Sequence, residues 1–157
     1  MSKLLLVVED SPDDVFFLER ACKRANVGFV THWAKNVDEA IQYMKGDGVY
    51  RDRTKFPLPD VILLDLRMPG KDGFAFLEWR KQHYQWLSVP VITFTSSKLA
   101  EDMRRAYNLG SNSFISKPLA DARLSQIVAS LEEWWMKLNQ APQRDEETPP
   151  PAPEKGE

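Results

Sequence analysis

KLLLVVEDSPDD, running from Lys3 to Asp14, decides the fold. Leu4 to Val8 is an unbroken apolar run, without the alternation of a half-exposed strand, so it reads as a β-strand buried on both faces. The run ends in an acidic pair, Glu9 and Asp10. A helix start follows at once: Ser11 as cap, Pro12 at the first helical position, and Asp14 three residues after the cap. A buried strand that delivers two carboxylates and turns straight into a helix is an α/β unit with its chemistry at the strand's carboxyl edge. VILLD, ending in Asp65, repeats the pattern. Three acids brought around one point repel one another unless a hard cation such as Mg²⁺, or a similar positive partner, joins them.

The rest of the chain alternates in the same way. The first helix is expected over Pro12 to about Ala25, with Val15, Leu18, Cys22 and Ala25 inward and Phe16 and Phe17 beside them, packed on the core. A strand follows over Phe29 to Ala34. Asn36 and Glu39 frame the start of a helix carrying Val37, Ala40, Ile41 and Met44. Val49 to Pro59 has no periodicity and reads as a surface loop. After the strand ending at Asp65, a turn-rich loop leads to a helix over Gly73 to His83, with Phe74, Leu77 and Tyr84 inward. Arg80 falls where an apolar residue belongs, its stem free to lie along apolar surface. Pro90 to Thr95 is a fourth strand. Ser96 and Ser97 offer caps for a helix over Leu99 to Leu109 with Met103, Ala106 and Tyr107 inward. Asn112 to Ser116 is an edge-like strand, and Lys117-Pro118 ends it. The last helix spans about Ala120 to Leu138, its stripe formed by Leu124, Ile127, Val128, Leu131, Trp135 and Leu138.

Five strand–helix repeats predict a doubly wound, five-stranded parallel sheet with five helices on its two faces. Right-handed crossovers then bring all strand carboxyl ends to one edge. Glu9-Asp10, Asp65, Thr95 and Lys117 stand at four such ends: acid, acid, hydroxyl, ammonium. The predicted domain is residues 1–139. From Gln140 to Glu157 the chain is rich in Pro and Glu and lacks any large apolar residue, the composition of a disordered tail. Net charge is -2, which gives no pull toward nucleic acid or anionic membrane. No apolar run approaches bilayer length and no targeting segment is present, so the expected location is cytoplasmic. The single cysteine, Cys22, reads as a small core residue.

In this order and spacing, the acidic pair, the Asp of DLRMPGKDG, the strand-ending Thr and the Lys-Pro step resemble the receiver (response regulator) domain of two-component signalling over residues 2 to 138. The SLEEWW end of the last helix and the long loop before the third strand are similar to the single-domain regulators that partner phytochrome kinases. The resemblance implies a flavodoxin-like sheet of order 2-1-3-4-5 and a phosphoryl group accepted on Asp65 from a histidine kinase. Mg²⁺ would be held by Asp10, Asp65 and the carbonyl of Arg67, with Glu9 more distant or acting through water. Thr95 and Lys117 would contact the phosphoryl group, and a cis peptide before Pro118 would aim the lysine. Phe114, where the family more often has tyrosine, would couple to Thr95 as the switch. Arg67 and Ser97 would flank the attacking water. Such a domain catalyses its own phosphorylation and dephosphorylation.

Two further readings compete. An intermediate phosphorelay carrier, exchanging with a histidine phosphotransfer protein, would use the same residues. A Mg²⁺-dependent phosphatase-like hydrolase would need a second Asp two residues after the nucleophile, where this chain has Arg67. Trp134, next to the inward Trp135 and about 100° round the helix from it, is expected on a flank as an interface anchor for a homodimer or a kinase.

Overall fold

The computed structural model describes residues 2–118 and 120–143. Ten regular elements alternate: β1 (Leu4–Val8), α1 (Pro12–Ala25), β2 (Val30–Ala34), α2 (Val37–Lys45), β3 (Val61–Leu64), α3 (Gly73–Lys81), β4 (Val91–Thr95), α4 (Ala100–Asn108), β5 (Ser113–Ser116) and α5 (Asp121–Leu131). The five strands form one parallel sheet in the order β2-β1-β3-β4-β5. The flavodoxin-like doubly wound α/β class and its strand order are as the sequence predicts. Beyond residue 143, the expected disordered tail lies outside the described residues.

Every residue of β1 and β3 is buried because the sheet is covered on both sides. Leu4, Leu6, Val8, Ile62 and Leu64 pack with α2, α3 and Ala106 of α4. Leu5, Val7, Val61 and Leu63 face the other way, against Val15 and Leu18 of α1 and Leu124, Val128 and Leu131 of α5. Alternation is present in geometry but invisible in hydropathy, since both faces demand apolar side chains.

Helix ends follow local chemistry. Ser11 accepts from the Asp14 backbone N–H with Pro12 in the first turn. Asn36 accepts from Glu39 N–H, while the Glu39 carboxylate reaches back to Lys35 N–H. Asp72 caps α3 by accepting from Ala75 N–H.

Several expectations fail at side-chain level. Phe16 and Phe17 are both exposed, edge to face with one another and beside Arg20, rather than in the core. Tyr84 is exposed, because α3 stops at Lys81 and a short 3-10 turn carries it away. Arg80 is buried whole. Its guanidinium donates to the carbonyls of Gly110, Leu87 and Val89, tying α3 to the entries of β4 and β5. The stretch before β3 is packed rather than loose: Tyr50 and Phe56 close over Tyr43, whose hydroxyl donates to the Pro57 carbonyl.

On α4, Asp102 and Ala106 face inward, and Met103 and Tyr107 face solvent. Neither Ser96 nor Ser97 caps that helix; Leu99 stands at its N-cap without a side-chain bond. The last helix departs from α geometry, since Glu132–Leu138 is a π-helical segment. Its five-residue step carries the inward stripe from Leu131 to Met136. Met136 is therefore buried, Trp135 is half-buried and Leu138 is exposed.

Candidate functional site

Parallel pairing puts the strand ends side by side. Val8 is level with both Ala34 and Leu64, and the ladder extends one step further through Asp65 N–H to Val8 O (3.0 Å) and Glu9 N–H to Ala34 O (3.1 Å). Lys117 N–H donates to Thr95 O at 2.8 Å, fixing the lysine beside the end of β4. Glu9, Asp10, Asp65 and Lys117 thus reach one edge from three different strands.

There the carboxylates of Glu9, Asp10 and Asp65 each offer an oxygen within 4.8 Å of the others. Glu9 and Asp65 are buried, whereas Asp10 is exposed. Lys117 Nζ lies 2.6 Å from Glu9, 2.8 Å from Asp14 and 3.3 Å from Asp65. Glu9 is the nearest of the three to the ammonium. Burial, opposed by the Lys117 hydrogen bond and assisted by the charge on Asp65, pushes the Glu9 carboxyl up to about 7. For Lys117, burial works against the charged form. The bonds to Asp14 and Glu9 and the charge on Asp65 outweigh it and hold the ammonium above its ordinary range.

Asp14 is a member that the sequence did not reveal, because its place in the first turn of α1 is equally that of a cap partner. No peptide bond among the described residues is cis, so the cis step expected before Pro118 is absent. The strand-end hydrogen bond and three carboxylates direct the lysine instead.

The cluster fits a hard divalent cation: three carboxylates converge, oxygen is the donor throughout, and one member is open to solvent. Behind it, the indole N–H of Trp33 donates to the Glu9 carbonyl at 2.6 Å. Gly73 closes the other side. Its N–H donates to Leu66 O, and a β-carbon there would overlap the Asp65 carbonyl oxygen and stand 2.9 Å from Leu66 Cα. Only glycine lets α3 start this close to Asp65.

Thr95 is fully buried, and its hydroxyl oxygen accepts from Ser97 N–H at 3.3 Å. Arg67 N–H points at Asp65 Oδ1, at 3.4 Å. The Arg67 guanidinium reaches over to Asp102 on α4, as does the Ser97 hydroxyl. Those two bonds, Ser97 first, hold the Asp102 carboxyl below the usual carboxylate range. Asp102 lies four residues before the inward Ala106, a spacing that marks it for the same face. Phe114 is half-buried on β5, level with Thr93, against the cluster under α2 and α3. Trp134 is remote from the acids. It is 60 % exposed and borders an open groove with Ile115, Ile127 and Trp135. Cys22 sits elsewhere on α1, where burial pushes its thiol up to about 11, far from nucleophilic character at neutral pH.

The family model described as the response regulator receiver domain matches residues 5–129. The chain is 31 % identical over 140 residues to the probable methanogenesis regulatory protein FilR2 of Methanothrix harundinacea, covering 88 % of this chain and 87 % of the relative. The phosphorylated cyanobacterial phytochrome response regulator RcpA superposes with a TM-score of 0.81 at 29 % identity, over 91 % of this chain and 100 % of that one. The Mn²⁺-bound form of response regulator Rcp1 does so with a TM-score of 0.78 at 28 % identity, over 90 % and 99 %. No described helix is long and apolar enough to cross a membrane.

Proposed function

Because the chain belongs to the response regulator receiver family of two-component signalling, we propose that Asp65 accepts a phosphoryl group from phosphohistidine, with Mg²⁺, and that the product signals by protein contact. The observation that carries this reading is the meeting of Glu9, Asp10, Asp65 and Lys117 at one strand edge. Residues 1–139 are taken as the domain.

In the reaction, an Asp65 carboxylate oxygen attacks phosphorus in line. The P–O bond forms as the P–N bond to the donor imidazole breaks, and the product is an acyl phosphate. Such a transfer asks for positioning and positive charge more than for proton chemistry. Glu9, Asp10 and Asp65, with the Arg67 carbonyl, would hold Mg²⁺, which supplies charge neutralisation for the phosphoryl oxygens. Lys117, shared among three carboxylates before reaction, is the ammonium that pairs with the phosphoryl group afterwards. Thr95 donates its hydroxyl to a phosphoryl oxygen, and Phe114 follows by packing alone. Support comes from the phosphorylated form of RcpA and the Mn²⁺-bound form of Rcp1. The likeness to RcpA also favours a phytochrome-type histidine kinase as donor, with a histidine phosphotransfer protein as the alternative partner in a relay. Phosphatase-like hydrolysis is disfavoured, because Arg67 stands where a second Asp would serve as acid and base.

With Mg²⁺ and a small acyl phosphate donor, the chain is expected to take one hydroxylamine-sensitive phosphoryl group, and chelation should stop the reaction. Labelling that continues undiminished in excess chelator would overturn the metal assignment.

For the partner surface, we take Trp134 as the anchor of a homodimer. Its groove adjoins β5, an edge strand of the sheet, and a second copy related by a two-fold axis would present the same exposed Trp134 and Leu138. Sedimentation should show a dimer that Trp134→Ala weakens at least about tenfold, the usual weight of a central aromatic contact. A wild type that stays monomeric with and without the phosphoryl group would end the dimer reading and leave kinase docking by this surface to be tested.

A further inference from the structure

The loops after β3 and β4 are held together from outside the acidic cluster. Arg67 and Ser97 stand two residues beyond Asp65 and Thr95, and each turns its backbone N–H to that residue's side chain. Their own side chains meet on a third element. Asp102 Oδ2, in the first turn of α4, accepts from Arg67 Nη2 and from Ser97 Oγ. Asp102 is 6 % exposed, while the Arg67 side chain is 56 % exposed. Asp102 is the ion-pair partner of Arg67 among the described residues. The guanidinium is therefore an exposed cation whose ion-pair partner is one buried carboxylate, on a residue whose backbone N–H faces the carboxylate that would carry the phosphoryl group.

We infer that Asp102 is a positioning residue that keeps Arg67 off the phosphoryl group on Asp65 and so shortens its lifetime. This rests on the reading of Asp65 as acceptor. The two anions compete for one guanidinium. A phosphoryl group presents three oxygens and close to two negative charges, for which Arg is well matched. While Asp102 retains Arg67, the outer face of the acyl phosphate stays open to water. When Asp102 is neutralised, Arg67 turns to the phosphoryl oxygens and covers that face. Ser97 strengthens that hold. Its hydroxyl donates to the same Asp102 oxygen and accepts from Leu99 N–H, fixing the start of a helix that has no capping side chain.

The test is a double-mutant cycle on the loss of phosphoryl groups after the small donor is removed. Wild type, D102N, R67A and the double variant are labelled with Mg²⁺; R67A keeps the backbone carbonyl. D102N should lose its phosphoryl group about fivefold more slowly than wild type, equivalent to roughly 1 kcal/mol. In the R67A background the same change should leave the rate unaltered, a result that a merely structural role for Asp102 would not give. An unchanged lifetime in D102N, or a change of equal size with and without Arg67, overturns the inference while leaving Asp65 as acceptor. A wild type that takes no phosphoryl group overturns the functional reading itself. Should D102N fail to fold, the side-chain N–H resonances of Arg67 in the wild type decide. They should keep their free-state shifts on phosphorylation, with Arg67 still on Asp102, and a large shift toward phosphate-bonded values would overturn the inference.

Discussion

Asp65→Asn is expected to carry no phosphoryl group under any donor and to fold at least as stably as the wild type. An amide is no nucleophile toward phosphorus, so the chemical step is removed rather than slowed. Stability should hold for an electrostatic reason. Glu9, Asp14 and Asp65 already share one ammonium, with Asp10 beside them, so four acids face one cation. Neutralising the acid furthest from Lys117 of its three partners relieves repulsion and leaves the 2.6 Å and 2.8 Å contacts in place. Mass spectrometry of the labelled chain and a thermal melt of the same sample check the two halves. Labelling of Asp65→Asn at the wild-type level would remove Asp65 from the mechanism.

A second large effect is expected from Gly73→Ala, at a position that takes no part in the chemistry. The added methyl group would overlap backbone atoms of Asp65 and Leu66, which have no flexible end that could move aside. Either α3 retreats or the end of β3 shifts. Overpacking of this kind costs about 1–3 kcal/mol. Urea unfolding should show that loss, and transfer to Asp65 should slow as its carboxylate is displaced. Gly70→Ala is the control: it has a left-handed backbone but open space around it, so only the conformational cost applies and Asp65 stays in place. A Gly73→Ala protein as stable and as reactive as wild type would mean that the close approach is not constraining.

The framework of the site is written locally in the sequence. Leu4–Val8 and Val61–Leu64 are apolar throughout because both faces of a covered parallel sheet must be. Glu9, Asp10 and Asp65 stand out because charged residues at the ends of such runs have no packing role to explain them. Contacts between distant segments have no such local signature. Asp102 and Arg67 are thirty-five residues apart, and hydropathy alone favours Met103 and Tyr107 for the inward face of α4. A buried carboxylate with two donors satisfies that face equally well. The sequence shows Arg80 only as a stem that could lie on apolar surface, whereas three carbonyl groups, from the connections before β4 and β5, surround its head. The change to π geometry after Leu131 moved Met136 into the core, and no 3.6-residue periodicity could announce it.

The bond from Trp33 to the Glu9 carbonyl has a use beyond holding β2 to β1. Indole emission responds to the polarity and charge around the ring, and this ring is tethered directly to the backbone of a carboxylate in the proposed ion site. The ammonium of Lys35 lies 5.5 Å from its centre, on the face of the ring. The protein thus carries a built-in optical probe at its chemically busiest edge. Four other tryptophans add background light, and none of them is hydrogen-bonded to that edge among the described residues. A difference spectrum against Trp33→Phe isolates the probe, so the arrival of a cation can be followed in real time without attaching a dye.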